Sequence, residues 1–141
     1  AFRPIGETDS EYAFCALLHQ LQKRFKAGYP RRRTELWDAV AEIGGKLGRD
    51  GTLNFLLGDG THLFARCATK LHHIVRKAPF HAATLADDDL AVDFAAVTTP
   101  NDRVAIVATA PLTRDEVWVA GNVGEMWVFR GGALRATLPS S

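Results

Sequence analysis

The chain has 141 residues and a formal net charge of +1, with 47% hydrophobic and 23% charged residues. This length and composition suit a single globular domain with a real core. The balanced charge excludes a global basic field for nucleic acid or anionic lipid, and no apolar run approaches the ~20 residues that span a bilayer. Because there are only two cysteines and no visible signal peptide, we expect a cytoplasmic protein.

Two amphipathic helices are predicted at the start of the chain. Apolar residues recur at helical spacing over residues 10–25, and again over residues 34–47, for which Thr34 is the predicted N-cap. The glycine pair at 44–45 weakens the second helix by about 1 kcal/mol per residue, but the apolar stripe continues through it. Gly48 then provides a natural C-cap.

Short strands are predicted from residue 52 onward, with hairpin turns at 58–60 and 131–132. The run 104–109 lacks polar alternation, which predicts a strand buried on both faces. Two helices followed by mostly antiparallel strands define an α+β class, with the helices layered on a sheet. The predicted strands are 53–57, 61–67, 71–76, 104–109, 126–130 and 134–136, with weaker strands at 81–85 and 90–94 and a short strand or helix at 117–119.

The segment 6–11, GETDSE, opens the first helix. Thr8 and Glu11 form a capping box, in which Thr8 accepts from the N–H of Glu11 and Glu11 reaches back to Thr8. Asp9 falls in the first turn, where free N–H groups and the helix dipole hold a carboxylate in place. Two readings stay open at this point: a plain helix cap, or a receptor that binds a ligand ammonium group through charge-assisted hydrogen bonds.

Other chemical motifs are absent. The histidines at 72–73 point to opposite faces of a strand, and Cys15 and Cys67 lack metal-ligand spacing and are expected to be small buried hydrophobes. The arginine run 31–33 and the acidic run 87–89 are expected to be solvated loops. No phosphate loop, dinucleotide fingerprint or serine elbow occurs. We therefore expect no metal, no cofactor and no nucleic-acid or membrane partner, and we find no nucleophile paired with a base.

Five segments follow one another along the chain: 6–11 (GETDSE), 55–60 (FLLGDG), 76–80 (RKAPF), 98–102 (TTPND) and 108–113 (ATAPLT), the last followed by Glu116 and Trp118. In this order they resemble class II glutamine amidotransferases, most closely the YafJ-like branch. The resemblance implies an N-terminal-nucleophile hydrolase fold, a four-layer αββα sandwich. In this family an N-terminal cysteine attacks the side-chain amide of glutamine or a related γ-glutamyl bond, with its own amine as base. By position, Asp9 corresponds to the acidic residue that binds the glutamine ammonium group, with Thr8 and Ser10 beside it.

The chain departs from the family pattern at its front. Position 1 is alanine, and Thr8 is preceded neither by the asparagine–glycine oxyanion pair nor by a segment that matches the family's arginine segment, which grips the substrate carboxylate. The resemblance therefore implies that residues 1–141 form a single domain, the C-terminal portion of an amidotransferase domain without its N-terminal catalytic portion. Because a thiol nucleophile needs both a sulfur and a base, we expect the chain alone not to hydrolyse glutamine.

The expected partners of the chain are glutamine or another γ-glutamyl compound and the absent N-terminal half of the domain. Two alternatives stay open. One is a non-catalytic ligand-binding or scaffold module of the same fold. The other is a split system, in which a second polypeptide supplies the absent strands and covers an exposed sheet edge.

Overall fold

The structure is a computed structural model that describes residues 2–87, 91–93, 95 and 98–141. Two helices come first, α1 (Asp9–Arg24) and α2 (Arg33–Leu47). The order of elements confirms the predicted α+β class. The described part of the chain then forms nine strands: β1 (Phe55–Gly58), β2 (Leu63–Cys67), β3 (His72–Lys77), β4 (Ala82–Thr84), β5 (Ala91–Asp93), β6 (Arg103–Ala108), β7 (Val119–Ala120), β8 (Glu125–Arg130) and β9 (Ala133–Pro139).

The strands build two stacked antiparallel sheets. The first has the order β1-β2-β8-β9 and the second β6-β3-β7, while β4 and β5 pair separately. The helices pack on the outer face of the first sheet, and the second sheet packs on its other face. The described residues thus form three layers of the four-layer sandwich expected from the resemblance, in the order helices, sheet, sheet.

The first sheet serves two hydrophobic cores because successive side chains of a strand point to opposite faces. Phe64 faces the helices, and its neighbour Ala65 faces the second sheet. The core between the helices and the first sheet contains Leu17, Leu36, Val40, Ala41, Ile43, Phe55, Leu57, Phe64, Met126 and Val128. The core between the two sheets contains Ala65, Cys67, Leu71, Trp127 and Phe129, with Leu63, Ala105 and Val107 packed against it.

The glycines inside α2 let the helix lie close to the sheet. A Cβ atom on Gly44 would stand 2.9 Å from a ring carbon of Phe55, so a larger residue would push the helix away. Gly48 caps the C-terminus as predicted, and its N–H donates to the carbonyl of Gly44 at 2.9 Å. The predicted N-cap Thr34 is wrong: the helix starts at Arg33, and the N-cap Arg32 makes no side-chain cap bond.

The prediction that β6 is buried on both faces is wrong. Its residues range from half-buried to exposed, and Val104 is 41% exposed. The physical reason is position: β6 is one of the two edge strands of the second sheet, and both described helices pack on the first sheet instead of on this one. The weaker strands are confirmed as β4 and β5, although positions 90 and 94, like positions 88–89 of the acidic run, lie outside the described residues. Neither described helix is long and apolar enough to cross a membrane.

Candidate ammonium-binding cleft

The first turn of α1 folds the incoming chain back onto the helix. The hydroxyl of Thr8 accepts the N–H of Glu11 at 3.3 Å, which confirms the predicted cap. The prediction that the Glu11 carboxylate reaches back to Thr8 is wrong. The Glu11 carboxylate instead accepts the N–H groups of Ile5 and Gly6, at 2.6 and 2.8 Å. Two consecutive N–H groups suit a bidentate carboxylate, and a Cβ on Gly6 would lie only 2.6 Å from Oε2 of Glu11.

Asp9 is the first residue of α1, and its side chain is exposed. Its Oδ1 accepts the backbone N–H of Ser10 at 2.7 Å and the Ser10 hydroxyl at 3.4 Å. Among the described residues, Oδ2 has no hydrogen-bond partner and the carboxylate joins no ion pair. The structure therefore orients this anion through Ser10 and the helix N-terminus without neutralising it.

A cleft of about 220 Å³ opens beside Asp9, between the start of α1 and the connection from α2 to β1. Two carboxylates line it, Asp9 and Asp50, and its lining contains no lysine, arginine or histidine. A cleft with two anions and no cation attracts a positively charged group. Thr8, which was predicted beside Asp9, is not a lining residue, and its hydroxyl accepts the N–H of Glu11. The lining residues are Asp9, Ser10, Ala13, Leu47, Asp50, Gly51, Thr52 and Leu53.

Asp50 and Thr52 belong to this cleft although no sequence pattern indicated them. They lie in a connection about 40 residues after Asp9, and only the packing of α1 against α2 brings the two segments together. The one local signal is the position of Asp50 just after a helix C-cap, which is a feature of many ordinary loops.

The two thiols lie in different environments. Cys67 is fully buried, as predicted, and burial raises the pKa of its thiol, which disfavours the reactive thiolate. Cys15 is half-buried on α1 rather than buried. Across the described residues, no group of three His, Cys, Asp or Glu side chains could hold a metal ion.

The adjacent histidines occupy opposite faces of β3, as predicted. His73 is buried between the sheets, where its ring packs edge-on against Trp127 and Phe129 at centroid distances of 4.4 and 5.4 Å. Burial lowers the pKa of His73, so its neutral form is favoured. His72 lies on the other face of the strand and is half-buried.

Asp59 gathers four hydrogen-bond donors at the turn between β1 and β2. The Tyr29 hydroxyl donates at 2.8 Å, the ring Nδ1 of His62 lies at 3.0 Å, and the N–H groups of Thr61 and His62 donate at 2.8 and 2.6 Å. Although partial burial acts in the opposite direction, the bonds from His62, Thr61 and Tyr29 hold the pKa of the Asp59 carboxyl well below its usual range. This carboxylate therefore ties the connection between α1 and α2 to the sheet.

A second polar network fixes the connection between β6 and β7 against β3. Arg76 forms a two-pronged ion pair with Glu116, with Nε to Oε1 at 2.7 Å. The Thr113 hydroxyl donates to Glu116 at 2.6 Å, and the Trp118 ring N–H donates to Thr113 at 2.9 Å. The network thus joins two of the five resembling segments, 76–80 and 108–113, together with Glu116 and Trp118 that follow the second. None of these residues lines the cleft beside Asp9.

The comparisons with known proteins agree with this layered fold. The model of the family described as "Glutamine amidotransferases class-II" matches residues 1–141. The chain therefore belongs to the class II glutamine amidotransferase family.

Individual relatives place it near the YafJ-like branch, as the resemblance indicated. The chain is 46% identical over 128 residues to "Putative glutamine amidotransferase YafJ" of Escherichia coli (strain K12), covering 91% of this chain and 50% of that protein. The chain is 38% identical over 130 residues to a "Putative glutamine amidotransferase" of Haemophilus influenzae, covering 92% of this chain and 44% of that protein. The chain spans about half the length of the curated relatives it matches.

A solved structure shows the same fold. The crystal structure of a "predicted glutamine amidotransferase" from Pseudomonas aeruginosa PA01 superimposes with a TM-score of 0.83 at 42% identity. The match covers 96% of this chain and 53% of that one.

Proposed function

We propose that this chain supplies the substrate-ammonium-binding segment and the scaffold of a class II glutamine amidotransferase. The reaction is hydrolysis of the side-chain amide of glutamine, or of a related γ-glutamyl amide, by an N-terminal-nucleophile mechanism. One observation carries the proposal: the oriented, unneutralised carboxylate of Asp9 lines the cleft at the first turn of α1. The family membership supports it.

The cleft is chemically suited to an α-ammonium group. An ammonium group has three N–H donors and no acceptor, so it needs several oxygens around it. Oδ2 of Asp9 offers one, and Asp50 and the hydroxyls of Ser10 and Thr52 line the same cleft. Thr8 contributes indirectly, because its cap fixes the turn that presents Asp9.

We propose that the nucleophile comes from outside this chain. Cys67 is buried with a raised pKa, and Cys15 stands on the helix without the adjacent α-amine that the family mechanism needs. The partner that completes the site is then the N-terminal half of the domain. Partly exposed apolar residues on the edge strands β1 and β6, Leu56 and Val104, are candidate contacts for it. The free thiols also favour a cytoplasmic location.

The test uses the natural protein that carries this chain. In Asp9→Asn the side chain can still accept from Ser10, so the helix start is preserved while the charge is lost. We expect the KM for glutamine to rise tenfold or more, since a hydrogen bond to a charged group contributes about 1.5–3 kcal/mol. Ammonia release against glutamine concentration measures it. The matched control is Glu7→Gln, which removes a nearby exposed charge that does not line the cleft.

Two results would contradict the proposal in different ways. An unchanged KM in Asp9→Asn would show that Asp9 is a helix cap and no more. Absence of ammonia release by the unsubstituted protein from glutamine and γ-glutamyl amides, combined with calorimetric binding of glutamine, would instead favour the non-catalytic ligand-binding module.

A further inference from the structure

The C-terminal end of α1 carries a second cleft that the proposed function does not use. It has a volume of about 710 Å³, and we call it the basic cleft. The stretch of sequence that contains its lining, residues 12–34, has six of the chain's 17 lysines and arginines and none of its 16 acidic residues. We propose that the basic cleft binds a small organic molecule that carries a phosphate group. Its lining residues are His19, Gln22, Lys23, Phe25, Lys26 and Gly28.

The cations of this region fall into two groups. Arg24 lies on the flank of α1 near α2 and pairs with Glu42 at 2.5 Å; Glu42 also accepts from Lys46 at 2.6 Å. The hydrogen bonds from Arg24 and Lys46 lower the pKa of Glu42 to about 2. Lys23 and Lys26 are exposed on the cleft side and form no ion pair within the described chain. The protein thus neutralises one flank of the helix end and leaves the other flank positive.

The spacing of the lining residues groups their charges. His19 and Lys23 are four residues apart and stand on one face of α1, and Lys26 follows in the turn after the C-cap Phe25; all three line the cleft. Two ammonium groups and an imidazole are suitable donors to a phosphate. The half-buried ring of Phe25 and the amide of Gln22 line the same cleft and can contact an organic moiety.

The helix dipole accounts for only part of this charge. A helix C-terminus stabilises cations in its last turn, which covers Lys23 and Arg24. The arginines at 31–33 lie beyond that turn, are all exposed and add to the positive potential. Lys23, Lys26 and these arginines repel one another, and a bound dianion would relieve that repulsion.

The wall of the basic cleft is held in place. The N–H of Phe25 donates to Leu21 and the N–H of Gly28 donates to Phe25, both at 3.0 Å, and Gly28 has a φ of 114°, which favours glycine. Tyr29 is fixed through Asp59.

The size of the basic cleft favours a small ligand over a polymer. Its volume falls within the range of about 300–1,000 Å³ that is usual for small-molecule sites. The cations around it are not interleaved with a series of aromatic side chains, as a surface that stacks single-stranded nucleic acid would require.

The experiment is calorimetric titration of the natural protein, at about 0.15 M salt, with AMP and glucose 6-phosphate. Adenosine and glucose are the phosphate-free matches, and inorganic phosphate is the third comparison. We expect saturable binding of at least one phosphorylated probe. We expect Lys23→Gln/Lys26→Gln to weaken that binding at least about tenfold. The control Lys70→Gln/Arg135→Gln removes the same charge from exposed sites outside the cleft and should change the affinity less than about twofold.

Several outcomes would overturn the inference. Binding weaker than about 1 mM for both phosphorylated probes would do so, as would equal weakening by the control pair or equal binding of adenosine and AMP. Inorganic phosphate that binds as tightly as AMP and glucose 6-phosphate would exclude recognition of the organic part. Circular dichroism checks that the double variant is folded, and the single variants Lys23→Gln and Lys26→Gln replace it if it is not. The Asp9→Asn protein should bind the probes normally, which keeps this test independent of the amidotransferase proposal.

Discussion

The two ends of α1 carry opposite charges. At the N-terminus Asp9 and Asp50 line an acidic cleft, while at the C-terminus Lys23 and Lys26 line the basic cleft. The helix dipole favours Asp9 in the first turn and Lys23 in the last turn, whereas Asp50 and Lys26 lie outside α1. Neither set of charges is neutralised by an ion pair in the described chain. Arg24, which is at the C-terminal end of α1 but faces α2, is instead paired with Glu42.

This contrast separates charges that hold the fold from charges that are left for ligands. A 16-residue helix is about 24 Å long, so one small molecule cannot contact both ends. The two clefts are therefore distinct, although they share a single rigid element. What α1 has in common along its length is its buried face, which fixes both ends relative to the first sheet.

The largest effect is expected from breaking that shared attachment. Leu17 is 0% exposed and is the buried residue of α1. Leu17→Ala should lower the free energy of unfolding by about 2–5 kcal/mol through lost burial and a residual cavity. Denaturant unfolding measures it. Leu112→Ala, at a leucine that is 48% exposed, is the control and should change stability by less than about 0.5 kcal/mol. Equal effects would mean that α1 is not anchored through this side chain.

The next effect concerns only the basic end. Asp59→Asn replaces a charged acceptor of four donors, and we expect a loss of about 1.5–3 kcal/mol near neutral pH. Since folding lowers the pKa of Asp59, its contribution is present above the ordinary carboxyl value of 3.8 and is lost as the pH falls below it. The unsubstituted protein should thus lose stability in acid more steeply than Asp59→Asn, as pH-dependent urea unfolding would show. Asp38→Asn, at an exposed aspartate of α2, serves as the control, and parallel pH curves for all three proteins would refute this role.

The smallest effect sharpens the acidic end. Thr8 caps α1 through its hydroxyl, whereas Thr34 lies inside α2 without capping it. Thr8→Ala should lower stability by about 1 kcal/mol, and Thr34→Ala should have almost no effect. Thermal unfolding of the two variants compares them directly. A larger loss from Thr34→Ala would reverse the assignment of the caps.

Local patterns predicted much of the fold and, together with the family resemblance, two of the residues that line the candidate cleft, Asp9 and Ser10. The helical stripes, the hairpin turns and the opposite faces of the histidines at 72–73 depend on side-chain periods that are fixed by neighbours in sequence. The position of Asp9 in a first helical turn follows from the same local rules. The exposure of β6 could not be predicted from local rules, because the burial of a strand depends on which segments pair beside it and pack over it.

The sequence by itself determined the order of the elements, the cap at Thr8 and the charge at each end of α1, since these depend on residues a few positions apart. Only the tertiary structure decided that Asp50 and Thr52 share a cleft with Asp9, that Glu11 binds Ile5 and Gly6, and that Arg24 is neutralised while Lys23 is not. Each of these depends on where the folded chain brings separate segments together, and hydrogen bonds and ion pairs form only at such short distances.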